Sequence, residues 1–341
     1  MAVGYLYDPI FLKHETGVHP ERKQRLEHAM RHLAACGLLE RLVALPSEPA
    51  SLEDIARVHV PEMIEELRDL AQSGGGSIGP DTVVSPDSFD AALAAAGASI
   101  AAVRHVLEGT VESAFALVRP PGHHATPSAA MGFCLFNNTA IAASWALAER
   151  GLRRIAIVDF DVHHGNGTET VFRPDPRVLY ISTHQYPFYP GTGHWRQAGV
   201  QVGIPNIMDI PLPAGTGDVG YHDVFTRLIQ PALERFEPEI ILVSAGYDAH
   251  WSDPLAWMLL SVKGFRQIMD ILHTSARTLC DGRMALMLEG GYGIEAFKHC
   301  VATTFASLLD LPYDDPLGPA QESETDISAY VTQMQRWYGL T

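Results

Sequence analysis

An α/β fold built on a mostly parallel sheet is what this sequence predicts, and three observations predict it. Short β-branched apolar runs recur through the middle of the chain, each ending in a break to glycine, proline or acid. Amphipathic stretches long enough for helices lie between them, and such alternation builds a doubly wound sheet with helices on both faces. Several of the runs empty into histidine, aspartate or tyrosine, where open α/β sheets carry their ligands, beyond the carboxyl ends of the strands.

Taken in order, helices are expected at about 88–109, 137–150, 218–235, 262–280 and 294–310. The strand at 114–118 runs into Arg119-Pro120-Pro121-Gly122-His123-His124, where two prolines and a glycine fix an irregular loop holding paired histidines. The strand at 153–159 breaks into Asp159-Phe160-Asp161-Val162-His163-His164-Gly165-Asn166. On a segment still extended, Asp161 and His163 leave on one face, and a carboxylate beside an imidazole suits zinc. Strands near 178–182 and 207–211 follow, then an apolar run from Ile240 that ends in Asp248, and one from Ala285 that ends in Glu289-Gly290-Gly291-Tyr292-Gly293. A tyrosine flanked by glycines can offer its hydroxyl to a carbonyl or an oxyanion. Singly, each motif has a plainer explanation: a helix cap, a solvated histidine pair, a turn-forming Asp, a common glycine turn. Four strand exits offering His-His, Asp-x-His, Asp and Tyr are together the parts of a mononuclear metallohydrolase.

Composition bounds the rest. A chain of 341 residues suits one large domain. A formal net charge of −16 argues against direct nucleic-acid binding and would steer cationic substrates. No apolar run reads as a membrane span and the first residues show no basic-then-apolar signal, so no membrane partner is expected. Cys36, Cys134, Cys280 and Cys300 lack zinc-finger spacing and suggest a reducing, cytoplasmic setting. Cys134 is placed near the pocket, as a small buried hydrophobe. Ser73-Gly74-Gly75-Gly76-Ser77 reads as a flexible loop. Past a core of about 1–315, residues 316–341 begin acidic and Pro/Gly-rich and end in Tyr330, Met334, Trp337 and Tyr338. That spacing fits an amphipathic helix docking on the body or on a partner subunit, and a homo-oligomer is expected.

RPPGHHA, GFCLFNN, DFDVHHGNGT, PGTG, GYDAH and LEGGYG, in that order over roughly residues 1–315, resemble the histone deacetylase family, which includes acetylpolyamine amidohydrolases. The resemblance implies the arginase–deacetylase fold, with long loops at the strand exits. It implies zinc held by Asp161, His163 and Asp248, with Fe2+ able to substitute, and potassium held by Asp159, Asp161, His163 and Ser182. His123 and His124 match the tandem histidines, one a general base and one an acid. Asp159 matches the partner of His123 and Asn166 that of His124; many members have a carboxylate at the second position, so His124 is expected to be the more easily neutralised. Tyr292 matches the oxyanion donor. Gly132 and Phe133 match one wall of the substrate channel and Tyr189 the facing wall, where phenylalanine is commoner. Leu255 matches a rim residue, Asp81 a carboxylate that binds substrate backbone, and Arg22 an arginine near an internal channel. The implied reaction is hydrolysis of an N-acetylated primary amine, acetyl-lysine or acetylpolyamine. An arginase-like reaction would need a second carboxylate two residues after Asp248, where His250 stands.

Overall fold

The computed structural model describes residues 2–195 and 206–340. In chain order its strands are β1 (Val3–Leu6), β2 (Val43–Ala44), β3 (Gly76–Ile78), β4 (Thr82–Val84), β5 (Ser113–Ala116), β6 (Ile155–Asp159), β7 (Val178–Gln185), β8 (Ile207–Leu212), β9 (Ile240–Ala245) and β10 (Met284–Leu288). Eight of them form one sheet in the order β2-β1-β5-β10-β9-β6-β7-β8. Every pairing within it is parallel. Strands β5 to β10 are buried along their whole length. That is why they read as continuous apolar runs rather than alternating ones. Helix Ser88–Leu107 packs on β5 and on helix Asn138–Glu149, while Gln24–Ala35, Val262–Cys280 and Ile294–Leu308 form a second layer whose Phe305 meets Phe115 of β5.

This order positions the site. From β6 the chain proceeds outward through β7 and β8, and from β9 it proceeds the opposite way to β10. The β6–β9 boundary is therefore a topological switch point, where the loops diverge and leave a crevice beyond the strand ends. Asp159 lies opposite Ser244 in that pairing, so the segments bearing Asp161 and Asp248 leave the sheet side by side.

Three expectations change, and one open alternative resolves. Ser88–Leu107 is long and apolar enough to cross a membrane, contrary to the reading that no run is. Its alanines and valines are instead mostly buried in the core. The 218–235 helix is three pieces, Asp218–Val224, a π-helical turn at Phe225–Ile229 and Gln230–Phe236. Pro231 has no N–H to donate to the preceding turn, a reason for the wider winding there. Part of the glycine-rich loop is ordered, since β3 pairs antiparallel with β4. The amphipathic C-terminal helix, Ser328–Trp337, docks on its own body: Val331 and Met334 are buried and the Tyr338 hydroxyl donates to the Asp209 carbonyl at 2.6 Å.

One buried ion cluster locks the first layer to the site. Glu21 accepts from Arg119 Nη2 at 2.7 Å and Arg25 Nη1 at 3.1 Å, with all three side chains at 0% exposure. Burial alone would raise the Glu21 pKa, but Arg119 and then Arg25 hold it down at about 2. Its stabilising contribution is thus present above the ordinary carboxylate range and is lost as pH falls toward 2. Removing one partner strands two buried guanidinium groups. Glu21→Gln is expected to lower unfolding stability by about 3–5 kcal/mol in urea titrations; a loss below about 1 kcal/mol would mean the cluster is not structural.

Candidate functional site

The divergent loops bring three donors together. Asp161 and His163 follow β6 and Asp248 follows β9, and one ligand atom from each lies within 4.8 Å of the others. His163 Nδ1 is 3.2 Å from Asp161 Oδ1 and 3.2 Å from Asp248 Oδ2. A tetrahedral ion with bonds near 2.0–2.1 Å needs donors about 3.3 Å apart, so this spacing fits zinc-sized coordination. Backbone amides aim both carboxylates: Gly290 N–H donates to Asp161 Oδ2 at 2.8 Å and Val162 N–H to Asp248 Oδ1 at 2.9 Å. No lysine or arginine bonds either carboxylate among the described residues, and one imidazole faces both. An N,O,O donor set this buried fits a divalent cation.

The tandem histidines lie beside it, their rings 4.0 Å apart between centroids. His123 Nδ1 meets Asp159 Oδ2 at 3.0 Å, and that oxygen also accepts from the Tyr180 hydroxyl at 2.9 Å. His124 Nδ1 meets Asn166 Oδ1 at 2.8 Å. The two partners split the pair electrically. Burial depresses both imidazoles, but the Asp159 and Asp161 carboxylates overcome it at His123 and hold its pKa well above the ordinary value. At His124 burial is reinforced by the charges of His123 and His163, and the pKa falls well below the ordinary value.

Above these groups is a cavity of about 200 Å³ lined by Asp81, His124, Gly132, Phe133, His163, Tyr189, Leu255 and Tyr292. It gathers the substrate-channel residues Asp81, Gly132, Phe133, Tyr189 and Leu255 named from the sequence. Gly132 has φ +56°, and a Cβ there would lie 2.4 Å from His124 Cδ2, so only glycine lets the wall close on that ring. Phe133, at φ 69°, holds the same left-handed conformation without being glycine, anchored where its N–H donates to Thr82 Oγ1 at 3.2 Å. Its ring meets Tyr292 edge-on, with centroids 5.7 Å apart. Tyr189 faces His124 across the cavity, edge-on at 5.1 Å. Cys134 is buried beside the wall, its thiol against the Gly132 carbonyl. Ser182 lies opposite Asp159 in the β6–β7 register, with its Oγ 2.9 Å from His184 Nδ1.

Two residues unassigned from the sequence hold this arrangement. Asp253 Oδ2 accepts from Tyr292 N–H at 2.6 Å and Gly293 N–H at 3.0 Å, while Oδ1 accepts from Leu255 N–H at 3.0 Å. It joins the tyrosine loop to the rim. Glu289 Oε2 accepts from Gly122 and His123 N–H at 2.7 and 3.1 Å and so fixes the histidine loop. Glu289 lies in LEGGYG and Asp253 just past GYDAH, but a carboxylate bound to backbone amides leaves no pattern to read. Arg22 is exposed and is not the internal arginine. Arg25 takes that place, since the helix it opens turns its side chain inward, where it donates to the Gly291 and Glu289 carbonyls at 2.6 Å each.

Comparison with known proteins decides the family. A histone deacetylase domain is matched over residues 19–308. The chain belongs to the histone deacetylase family. It is 44% identical over 298 residues to a probable deacetylase of Archaeoglobus fulgidus, covering 86% of this chain and 82% of that one. It is 40% identical over 298 residues to a histone deacetylase-like amidohydrolase of Pseudomonas aeruginosa, covering 87% and 77%. The crystal structure of the HDA15 HD domain superposes with a TM-score of 0.88 at 31% identity, over 99% of this chain and 94% of that chain. As a histone deacetylase family member the chain is a hydrolase of linear amides, in a family that is typically metal-dependent.

Gly132→Ala is expected to push the His124 ring aside and lower kcat/KM by about 10²-fold, the usual cost of a misplacement near 1 Å, with bound metal unchanged. Activity within threefold of the parent would show that the wall does not set the ring.

Proposed function

We propose that this chain is a zinc-dependent deacetylase that hydrolyses an N-acetylated primary amine to the free amine and acetate. The observation that supports it best is the convergence of the Asp161–His163–Asp248 donor set, the split histidine pair and Tyr292 at one narrow cavity. Bound there, a divalent cation would supply Lewis acidity toward the amide carbonyl and toward a water molecule. The donor set accepts Fe2+ as well as Zn2+. Asp159 and Ser182, with Asp161 and His163, are proposed to hold potassium behind it.

The chain's own groups then divide the work. His124, held neutral, takes the proton from the attacking water. The water oxygen bonds to the carbonyl carbon, and the Tyr292 hydroxyl donates to the oxygen that gains charge. Burial first, then Asp248 and Asp161, keep the Tyr292 pKa well above the ordinary phenol value, so it stays a donor at neutral pH. As the C–N bond breaks, His123, held as imidazolium by Asp159, protonates the leaving amine. Gly132, Phe133, Tyr189 and Leu255 would sheathe the acyl-bearing chain, with Asp81 at the mouth to accept N–H groups.

Tyr292→Phe is expected to lower kcat by about 10²–10³ with KM little changed; a loss below tenfold would remove Tyr292 from the oxyanion role. Asn166→Asp tests the division of labour. An added carboxylate favours the imidazolium, raises the His124 pKa and moves the acid limb of kcat/KM to higher pH. An unmoved acid limb would exclude His124 as the base.

Acetyl-lysine in peptides is the favoured substrate, because apolar Leu255 rather than an acid stands at the rim. The acidity of the chain, net −16, is what favours acetylpolyamines as the second reading. Comparing kcat/KM for an acetyl-lysine peptide, N-acetylputrescine and N8-acetylspermidine separates them: at least tenfold preference for the peptide is expected, and the reverse preference would reassign the substrate.

A further inference from the structure

Behind the histidine–carboxylate site lies a second group of the same composition. His164, Glu169 and Asp209 come from the β6 exit, the helix Asn166–Phe172 and β8, and their ligand atoms also lie within 4.8 Å of one another. His164 Nε2 is 3.0 Å from Glu169 Oε2 and 3.2 Å from Asp209 Oδ1. Those separations match the 3.2 Å spacings around His163 Nδ1.

Three features separate this group from an ordinary ion pair. Asp209 is at 0% exposure, and neither of its carboxylate oxygens has a hydrogen-bond partner among the described residues. Asp161 and Asp248, by contrast, each receive a backbone N–H. His164 Nε2 is close to both carboxylates, yet its N–H is aligned with neither oxygen. A ring N–H points along one line, whereas a cation can lie off it and serve all three donors. The other ring nitrogen is already engaged, with Nδ1 2.8 Å from Thr192 Oγ1. An outer partner of that kind fixes the tautomer of a metal-bound histidine and leaves the opposite nitrogen free to ligate.

We propose that His164, Glu169 and Asp209 form a second divalent-cation site with a structural role. It would tie the β6 exit, which bears Asp161 and His163, to the helix after it and to β8. Arg173 pairs with Glu169 through Oε1, which leaves Oε2 for the ion. Tyr338 of the C-terminal segment braces the Asp209 carbonyl at 2.6 Å from the far side. One imidazole and two carboxylates suit Zn2+, Fe2+ or Mn2+ better than a soft or a purely oxygen-loving ion.

The test is a count. Full-length protein stripped with a chelator is titrated with Co2+ and with Zn2+, and tightly bound metal is measured by calorimetry and elemental analysis. Two equivalents are expected for the parent, one for Asp209→Asn or Glu169→Gln, and one for His163→Ala, whose loss falls on the other site. The Co2+ left in His163→Ala should show the visible absorption of an N,O-ligated ion. A single equivalent in the parent, absent from His163→Ala, would overturn the proposal and make the group a protonated imidazole bridging two carboxylates. The parent alone gives that answer if the variants fail to fold.

Discussion

Asp161 and Asp248 place two carboxylates side by side at 1% and 0% exposure, and much of this protein can be understood as what it takes to keep them there. Burying like charges is costly unless each is hydrogen-bonded and their sum is compensated. The fold meets the first demand with backbone: a parallel sheet whose strand order reverses between β6 and β9 sends two adjacent loops outward, and the amides of Val162, His163 and Gly290 turn inward onto the carboxylates. It meets the second only in part: His163 faces both carboxylates, and His123, 3.7 Å from Asp161, is shared with Asp159. The remaining charge deficit is the physical reason to expect a divalent cation at this point.

The same device recurs one layer out. Asp253 and Glu289 are carboxylates that use backbone amides to hold other groups in place, the tyrosine loop and rim in one case and the histidine loop in the other. Burial pushes both up to about 7, with Asp248 adding to the effect at Asp253. The Glu21 cluster extends the arrangement to the first layer of helices, because Arg25 bridges Glu21 and the carbonyls of the Glu289–Gly291 turn. The N-terminal layer is thus joined to the tyrosine turn beside the cavity by a few short contacts.

Much of this was legible in the sequence, for a definite reason. Strands buried on both faces must be apolar throughout, so the loops that follow them stand out as abrupt polar breaks, and those breaks carry Asp161, His163, Asp248, His123 and Tyr292. Residues 7–84 offered no such contrast, since β2 is two exposed residues and β3 and β4 are three each. The expectation for Arg22 failed because it precedes the helix Gln24–Ala35 and is exposed, whereas Arg25 in the first turn faces inward. Ser88–Leu107 meets the length and apolarity of a membrane span yet is mostly buried in the core, so packing rather than hydropathy decides its surroundings.

X-ray absorption at the zinc edge, on Asp209→Asn protein loaded with one equivalent so that only the Asp161–His163–Asp248 set is intact, addresses the central claim most directly. The account predicts a shell of nitrogen and oxygen only, near 2.0–2.1 Å, with the outer scattering of one imidazole, and loss of that signal when Asp248→Ala is added. A sulfur shell near 2.3 Å, or a spectrum indifferent to Asp248, would contradict it.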